Sequence, residues 1–198
     1  MKEILIATKN PNKAKEIGKI FSKDYIKVYT LNDFPNFPDI VEDGTTFEEN
    51  ARLKVKAANE RLGMAALADD SGLQVDALYG QPGIRSARYA GDHDDAANNA
   101  KLLSELGGVP LEKRTAQFVT TLVYKDPENN QDIVATGKLE GLIDTMPRGD
   151  DGFGYDPLFY VPELGKTLGQ ISMDKKNEIS HRGRAIREFE KKFHELNN

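Results

Sequence analysis

The sequence has no cysteine, no tryptophan and no long hydrophobic run. Without cysteine the chain cannot form disulfides, use a cysteine nucleophile or bind a metal through thiolates, and this composition is typical of reducing compartments. No apolar stretch approaches the roughly 18 residues that a membrane span needs. The first residues, MKEILIATKNPNK, lack the apolar segment and cleavage site of a signal peptide. The sequence therefore predicts a cytoplasmic protein that does not enter a membrane.

A strong positive charge is also lacking. The 198 residues include 27 Lys and Arg against 32 Asp and Glu, a net charge of −5. This balance, without an array of basic and aromatic side chains, argues against binding to nucleic acid. The charge is uneven, because residues 1–27 carry +4 and residues 175–198 carry +3, while residues 28–174 carry −12. Basic ends around an acidic middle could supply phosphate ligands and metal carboxylates to one site, although solvated surface charge gives the same pattern.

The apolar pattern predicts alternating strands and helices in one domain of residues 1–198. Short apolar runs and period-two alternation mark strands at 3–7, 28–31, 65–68, 116–124 and 133–143. Helical spacing and capping residues mark helices after Asn10, after Thr46, over 94–106 and after Ser180. A long hairpin over 116–143 interrupts the strand–helix rhythm. We therefore predict an α/β fold with a mixed sheet.

Two polar segments point to phosphate chemistry. Residues 8–13 (TKNPNK) lie between a predicted strand and a helix start, where backbone N–H groups, the helix dipole and lysines can bind an anion. A capped helix with exposed lysines is the alternative. Asp69 and Asp70 follow the apolar run 65–68 directly, and adjacent carboxylates repel each other. One of them could bind Mg²⁺ and the other could position or deprotonate water, and the alternative is an Asp pair that caps a turn.

Two later segments fit a base and its phosphates. In GFGYDP, residues 152–157, glycines beside aromatics let a flat ring approach the backbone, or else the aromatics fold into the core. In KKNEISHRG, residues 175–183, several kinds of donor precede or begin a helix, a setting that suits phosphate or a base carbonyl. A capped basic helix is the alternative there. One nucleoside triphosphate site would explain all four segments.

At these residues the chain resembles the inosine/xanthosine triphosphate pyrophosphatase family. The matching strings are ATKNPNKAKEI, GTTFEENARLKVKAA, ALADDSGLQVDAL, PGIRSARYAG, GFGYDPLF and KNEISHRGRAI, and they cover nearly the whole chain. Lys9 is a departure, since relatives usually have Gly there. The resemblance implies an elongated α/β fold, with a mixed sheet flanked by helices and two lobes around a central cleft, and a homodimer. It also implies Mg²⁺-dependent hydrolysis of ITP, dITP and XTP to monophosphate and pyrophosphate, which cleanses the nucleotide pool.

The resemblance also assigns residue roles. Asp70 is the expected catalytic carboxylate and, with Glu42, the expected metal ligand. Arg182 is expected to donate to the 6-oxo group of hypoxanthine or xanthine, where adenine's amino group would place donor against donor. The expected substrate-binding residues are Thr8, Lys9, Asn10, Pro11, Asn12, Lys13, Ser71, Phe153, Gly154, Tyr155, Asp156, Lys176, His181 and Arg182.

Two other functions compete with this interpretation. A pyrimidine nucleotide pyrophosphatase of the septum-formation-inhibitor type shares the general architecture, but the SHRG and GFGYDP strings argue against it. A non-catalytic nucleotide-binding module is the other alternative. Asp69 and Asp70 argue against it, because carboxylates near phosphates serve no binding purpose unless a metal is present.

Overall fold

The computed structural model describes residues 2–21 and 26–197. In these residues seven strands form one open mixed sheet in the order β2-β1-β3-β4-β5-β6-β7. The pairs β1–β2 and β1–β3 are parallel, whereas β5–β6 and β6–β7 are antiparallel. Over the same residues, no helix combines the length and apolar character that a membrane crossing requires.

The strands alternate with five α-helices in the described part of the chain. The strands are β1 (Lys2–Ile6), β2 (Ile26–Thr30), β3 (Ala65–Val75), β4 (Thr115–Asp126), β5 (Gln131–Ile143), β6 (Phe159–Val161) and β7 (Lys166–Thr167). The helices are α1 (Pro11–Gly18), α2 (Phe47–Leu62), α3 (Asp95–Glu105), α4 (Met173–Ile179) and α5 (His181–Asn197). The predicted α/β class, with a mixed sheet flanked by helices, is confirmed.

Contacts within the chain divide it into two compact units. The first unit comprises Met1–Asp70, Thr121–Thr136 and Ala185–Asn198, and the second comprises Ser71–Thr120 and Gly137–Arg184. Strands β3, β4 and β5 each contribute residues to both units. That residues 1–198 make up a single pyrophosphatase domain, and that a cleft lies between two lobes, stay predictions.

The first unit has a hydrophobic cluster on each face of its strands. Side chains alternate along a strand, so Ile4 and Ile6 join one cluster with α1 and α5, while Leu5 and Ala7 join the other with α2. The same alternation divides β3, where Leu67 belongs to the α1 side and Ala68 to the α2 side. Residues that follow along β3 inherit these two directions.

The second unit has one hydrophobic cluster. It combines the outer half of β3 with β4, β5 and the Leu102 side of α3. Tyr155, Leu158 and Phe159 pack in the same cluster. The polypeptide around residues 153–156 is therefore anchored on the core by its own aromatic and aliphatic side chains.

Most predicted elements are confirmed to within a few residues, and two differences matter. The prediction that the strand at 65–68 stops before Asp69 is wrong, because β3 continues to Val75. Both acids have basic or amide partners from α1 and α2, so the strand carries them without exposing them. The second difference is α4, which the sequence reading placed in a segment leading to the C-terminal helix. Ser172 caps α4 through a hydrogen bond from the Lys175 N–H group.

Candidate functional site: two clusters of predicted residues

The predicted phosphate and metal residues lie in the first unit. Asp69 and Asp70 are consecutive residues of β3, so their side chains point to opposite faces of the sheet. Asp69 lies on the α1 side, where its carboxylate is 2.9 Å from Lys13 Nζ. Asp70 lies on the α2 side, where Asn50 Nδ2 donates to its Oδ2 over 3.1 Å. The two acids therefore do not compete for one partner, and mutual repulsion is not the reason for their pairing in sequence.

Lys54 gathers two carboxylates on the α2 side. Its ammonium lies 3.0 Å from Glu42 Oε2 and 4.0 Å from Asp70 Oδ1. Only 12% of the Lys54 side chain and 13% of the Asp70 side chain are exposed, so this charge balance is poorly screened by water. We call Glu42, Asp69 and Asp70, with Asn50, Lys13 and Lys54, the carboxylate cluster.

Asp70 is the acid whose ionisation this environment perturbs. Burial raises the pKa of Asp70, and the charge of Glu42 adds to the effect. The Lys54 charge and the Asn50 hydrogen bond act in the opposite direction but do not outweigh burial. A shifted acid in a charged cluster is typical of functional sites, because a surface carboxylate would simply remain solvated.

The carboxylate cluster fits a divalent cation. In the described residues no group of three or more metal-ligating side chains is assembled. Mg²⁺, however, is usually held by one or two carboxylates, with water and substrate phosphates as its other ligands. Glu42 and Asp70 already converge on the cationic group of Lys54, which shows that their oxygens can face one positive centre. The donor set is therefore suitable for Mg²⁺.

The loop before α1 is tied down by its own polar atoms. Asn10 N donates to Thr8 Oγ1 over 3.1 Å, and Lys13 N donates to Asn10 Oδ1 over 3.3 Å, so Asn10 caps α1 as predicted. Pro11 is the first residue of α1. Lys9 Nζ is bound to Asp39 over 2.6 Å on the surface. The Asn12 side chain lies outside the described part of the structure. Two N–H groups expected at the anion site thus serve the loop itself.

The predicted base residues lie in the second unit. Asp156 is 2% exposed, and its Oδ2 accepts hydrogen bonds from Lys176 Nζ and from the Phe153 N–H group. Phe153 is partly exposed, with the Lys176 ammonium 4.3 Å from its ring centroid. A Cβ at Gly152 would lie 2.1 Å from the Asp156 carboxylate, so only glycine permits this approach. The result is a rigid loop, residues 153–156, that presents one aromatic ring.

Helix α3 fixes the middle of the 153–156 loop. Asp95 Oδ2 accepts from Gly154 N over 2.8 Å, and Asn99 Nδ2 donates to Gly154 O over 2.9 Å. Asp95 and Asn99 are four residues apart and therefore lie on one helical face. Tyr155 is directed inwards, where its hydroxyl donates to Ser86 O over 2.7 Å and burial raises its pKa. Tyr155 thus anchors the loop.

The remaining predicted residues are also buried or half-buried. His181 stacks on Phe118 with ring centroids 4.8 Å apart, and Arg182 is 6% exposed at the start of α5. Ser71, the peptide neighbour of Asp70, accepts a hydrogen bond from the Thr120 hydroxyl over 3.0 Å. Each lies in the second unit.

Sequence reasoning missed four residues that shape these clusters: Asn50, Lys54, Asp95 and Asn99. The apolar stripe of α2 begins at Phe47, and helical spacing from Phe47 brings Asn50 and Lys54 to the same inward side. That polar interruption of an apolar face was the available signal for α2. Asp95 and Asn99 gave none, because polar residues four apart are ordinary on an exposed helix.

Comparison with known proteins identifies the class of this fold and site. The Ham1 family model matches residues 4–192. Two solved structures superpose over nearly the whole chain: the Ham1 protein of Staphylococcus aureus, with a TM-score of 0.91 and 44% identity over 100% of both chains, and a HAM1 protein from Coxiella burnetii, with 0.92 and 39% over 98% of this chain and 100% of that one.

Sequence relatives agree with the structural match. A dITP/XTP pyrophosphatase of Lactiplantibacillus plantarum is 54% identical over 97% of this chain and 95% of the relative. Another of Geobacillus kaustophilus is 50% identical over 99% of this chain and 96% of the relative. The chain belongs to the Ham1 family, and the predicted family resemblance is confirmed.

Proposed function

We propose that this protein is a hydrolase that converts non-standard purine nucleoside triphosphates, namely ITP, dITP and XTP, to the monophosphate and pyrophosphate. The observation that carries the proposal is the convergence of Glu42 and Asp70 on the single cation of Lys54. Buried carboxylates of this kind serve metal-assisted chemistry at phosphorus and are of no use to a simple phosphate binder. Ham1 membership supports the choice of substrate class.

The carboxylate cluster would carry out the chemistry. Glu42 and Asp70 would hold Mg²⁺, which would neutralise charge on the phosphate oxygens and favour departure of pyrophosphate. Asp70 would orient the water that attacks the α-phosphorus, and as a metal ligand it would be a weak base. Lys13 would stabilise the developing charge on the leaving pyrophosphate. Asp69 would act as a positioning residue, since it holds the Lys13 ammonium at 2.9 Å.

The loop before α1 would contact the triphosphate. Its contribution would come from Lys13 and the side chains of this segment, because the Asn10 and Lys13 N–H groups are already used within the loop. Lys9 would need to exchange Asp39 for a phosphate oxygen, and both partners are exposed enough to allow this. The residues that we assign to this role are Thr8, Lys9, Asn10, Pro11, Asn12 and Lys13.

The second cluster would recognise the nucleoside. The Phe153 ring offers a stacking surface, and Gly154 offers backbone at which a flat base can approach. Arg182 and His181 would donate to the 6-oxo group, so adenine's amino group would leave buried donors without acceptors. Tyr155, Asp156 and Lys176 would hold this surface in place. Ser71 would contact the substrate next to Asp70.

We also propose a cytoplasmic homodimer built from one pyrophosphatase domain. The chain has no cysteine, and its net charge of −5 suits a small-molecule substrate and disfavours nucleic acid. Size-exclusion chromatography with light scattering would determine the oligomeric state, and an observed monomer would reject the dimer.

A product assay tests the proposed function. ITP, XTP, GTP, ATP and UTP are incubated with the protein, with and without Mg²⁺, and pyrophosphate is measured separately from orthophosphate. We expect pyrophosphate from ITP and XTP, little turnover of ATP, and no turnover without a divalent metal. Equal turnover of ATP and ITP, or stepwise release of orthophosphate, would contradict the proposal. Preferred turnover of UTP would instead indicate a pyrimidine nucleotide pyrophosphatase.

A further inference from the structure

Asn50 connects two parts of the carboxylate cluster that are distant in sequence. It lies on α2, and it is only 1% exposed. Its Nδ2 donates to Asp70 Oδ2 over 3.1 Å, while its Oδ1 accepts from the backbone N–H of Gly44 over 2.9 Å. One buried amide therefore binds β3 at Asp70 and the segment that carries Glu42.

The segment around Gly44 is held closely against the start of α2. The Glu49 carboxylate accepts from Thr45 N over 2.6 Å and from Thr45 Oγ1 over 2.8 Å. A Cβ on Gly44 would lie 2.7 Å from Asn50 Oδ1 and 2.8 Å from Glu49 Cβ, which is closer than real contacts. This packing leaves the segment little freedom, and its only amide partner at Gly44 among the hydrogen bonds described is Asn50.

We propose that Asn50 is a positioning residue that sets the spacing between Glu42 and Asp70 and so prepares both carboxylates for the divalent cation. The inference deepens the proposed function and rests on it. A side-chain amide suits this role because it donates at one end and accepts at the other. Its donor also directs one Asp70 oxygen towards α2 and leaves the other, Oδ1, on the Lys54 side, where Glu42 also lies.

Helix α2 provides a matched control in Asn59. Asn59 Nδ2 donates to Met64 O over 2.7 Å and to Lys125 O over 3.3 Å, so it binds backbone away from the carboxylates. Replacing Asn59 by Ala removes the same side chain from the same helix. It should reduce stability without changing metal binding.

The experiment compares wild type with N50A, N50D and N59A. Mn²⁺ is titrated against nucleotide-free enzyme by EPR, and the Mn²⁺ concentration for half-maximal ITP hydrolysis is measured in parallel. Loss of an outer partner of a metal ligand commonly reduces metal affinity about 10- to 100-fold. We expect N50A to weaken both constants by about 10-fold or more, and N59A to leave both within about twofold of wild type.

N50D separates the two ends of the amide and decides the matter if N50A fails to fold. It retains an acceptor for Gly44 but replaces the donor to Asp70 with a second carboxylate. We expect its kcat at saturating Mn²⁺ to fall by about 10-fold or more, while its circular dichroism matches that of wild type. Asn50 variants with the metal constants and kcat of N59A would overturn the inference. A wild type that binds Mn²⁺ as expected but releases no pyrophosphate would reject the proposed function, since the EPR titration requires no turnover.

Discussion

The two clusters of predicted site residues are held together in different ways. In the carboxylate cluster, ammonium groups of Lys13 and Lys54 balance buried acids that come from separate elements. In the 153–156 loop, one buried ion pair supports a turn whose position is otherwise set by backbone hydrogen bonds to α3. The first arrangement depends on charge and the second on backbone shape. Charge-changing substitutions should therefore affect the first most strongly, and shape-changing ones the second.

The largest expected effect is that of Asp70→Asn. The substitution keeps the shape of the side chain but removes the charge that would bind Mg²⁺ and orient water, so we expect kcat to fall by about 10²- to 10⁴-fold. Asp132→Asn is the control, because Asp132 pairs with Arg52 of the same helix but outside the carboxylate cluster. Activity of folded D70N near that of D132N would show that the Asp70 carboxylate is structural.

D70N should also be more stable than wild type in EDTA at pH 7. The folded-state pKa of Asp70 is raised above its ordinary value of 3.8, mainly by burial, so the ionised carboxylate opposes folding. The cost is absent below the ordinary pKa and complete above the raised one. The stability gain of D70N should thus disappear as the pH falls below about 3.8. In a protein of this size, a 2–4 °C rise in Tm corresponds to about 1 kcal/mol. A D70N variant less stable than wild type at pH 7 would contradict the sign.

The second expected effect concerns the one ion pair of the 153–156 loop. Lys176→Met would leave the Asp156 carboxylate buried without its counter-charge, which typically costs about 3–5 kcal/mol. The neighbouring Lys175 is exposed and pairs with Glu178, so Lys175→Met should change stability by less than about 0.5 kcal/mol. Urea unfolding at pH 7 measures both. Equal stability of the two variants would mean that the ion pair does not support the loop.

The smallest expected effect tests the contribution of backbone shape. Asp95→Ala removes the acceptor for the Gly154 N–H group, whereas Asp95→Asn retains an oxygen at that position. We expect D95A to lower kcat/KM for ITP by about fivefold, equivalent to about 1 kcal/mol, and D95N to remain near wild type. The Mn²⁺ activation constant should be unchanged in both. A shift in that constant would show that the 153–156 loop and the carboxylate cluster are not separable in this way.

The sequence was sufficient for much of the fold because apolar periodicity reports local burial. It located β1, β4, β5 and α3 to within a few residues. It ended β3 too early because Asp69 and Asp70 look like a strand terminus, and the lysine and asparagine partners that allow them inside the strand lie 20 or more residues away in the chain. Pattern analysis within a short window does not detect such partners.

The site was predictable as a set of residues but not as a set of contacts. Unusual local strings marked Lys13, Asp70 and Asp156. Nothing local shows that Lys13 binds Asp69 or that Asp156 binds Lys176, because these pairs form only when distant elements pack. For the same reason Asn50 was read as an ordinary residue of α2, although its side chain joins two strands of the argument for metal binding: the position of Glu42 and the orientation of Asp70.

The placement of two acids on opposite faces of β3 ties chemistry to the register of a core strand. Leu67 and Ala68 select the faces of the residues that follow, since side-chain direction alternates strictly along the chain. An insertion or deletion of one residue anywhere in the buried half of β3 would present Asp69 to α2 and Asp70 to α1. Both carboxylates would still exist, but each would meet the other's partners. Small hydrophobic residues with no contact to substrate thus determine which acid can do which work, and the length of this strand is constrained by the reaction as well as by packing.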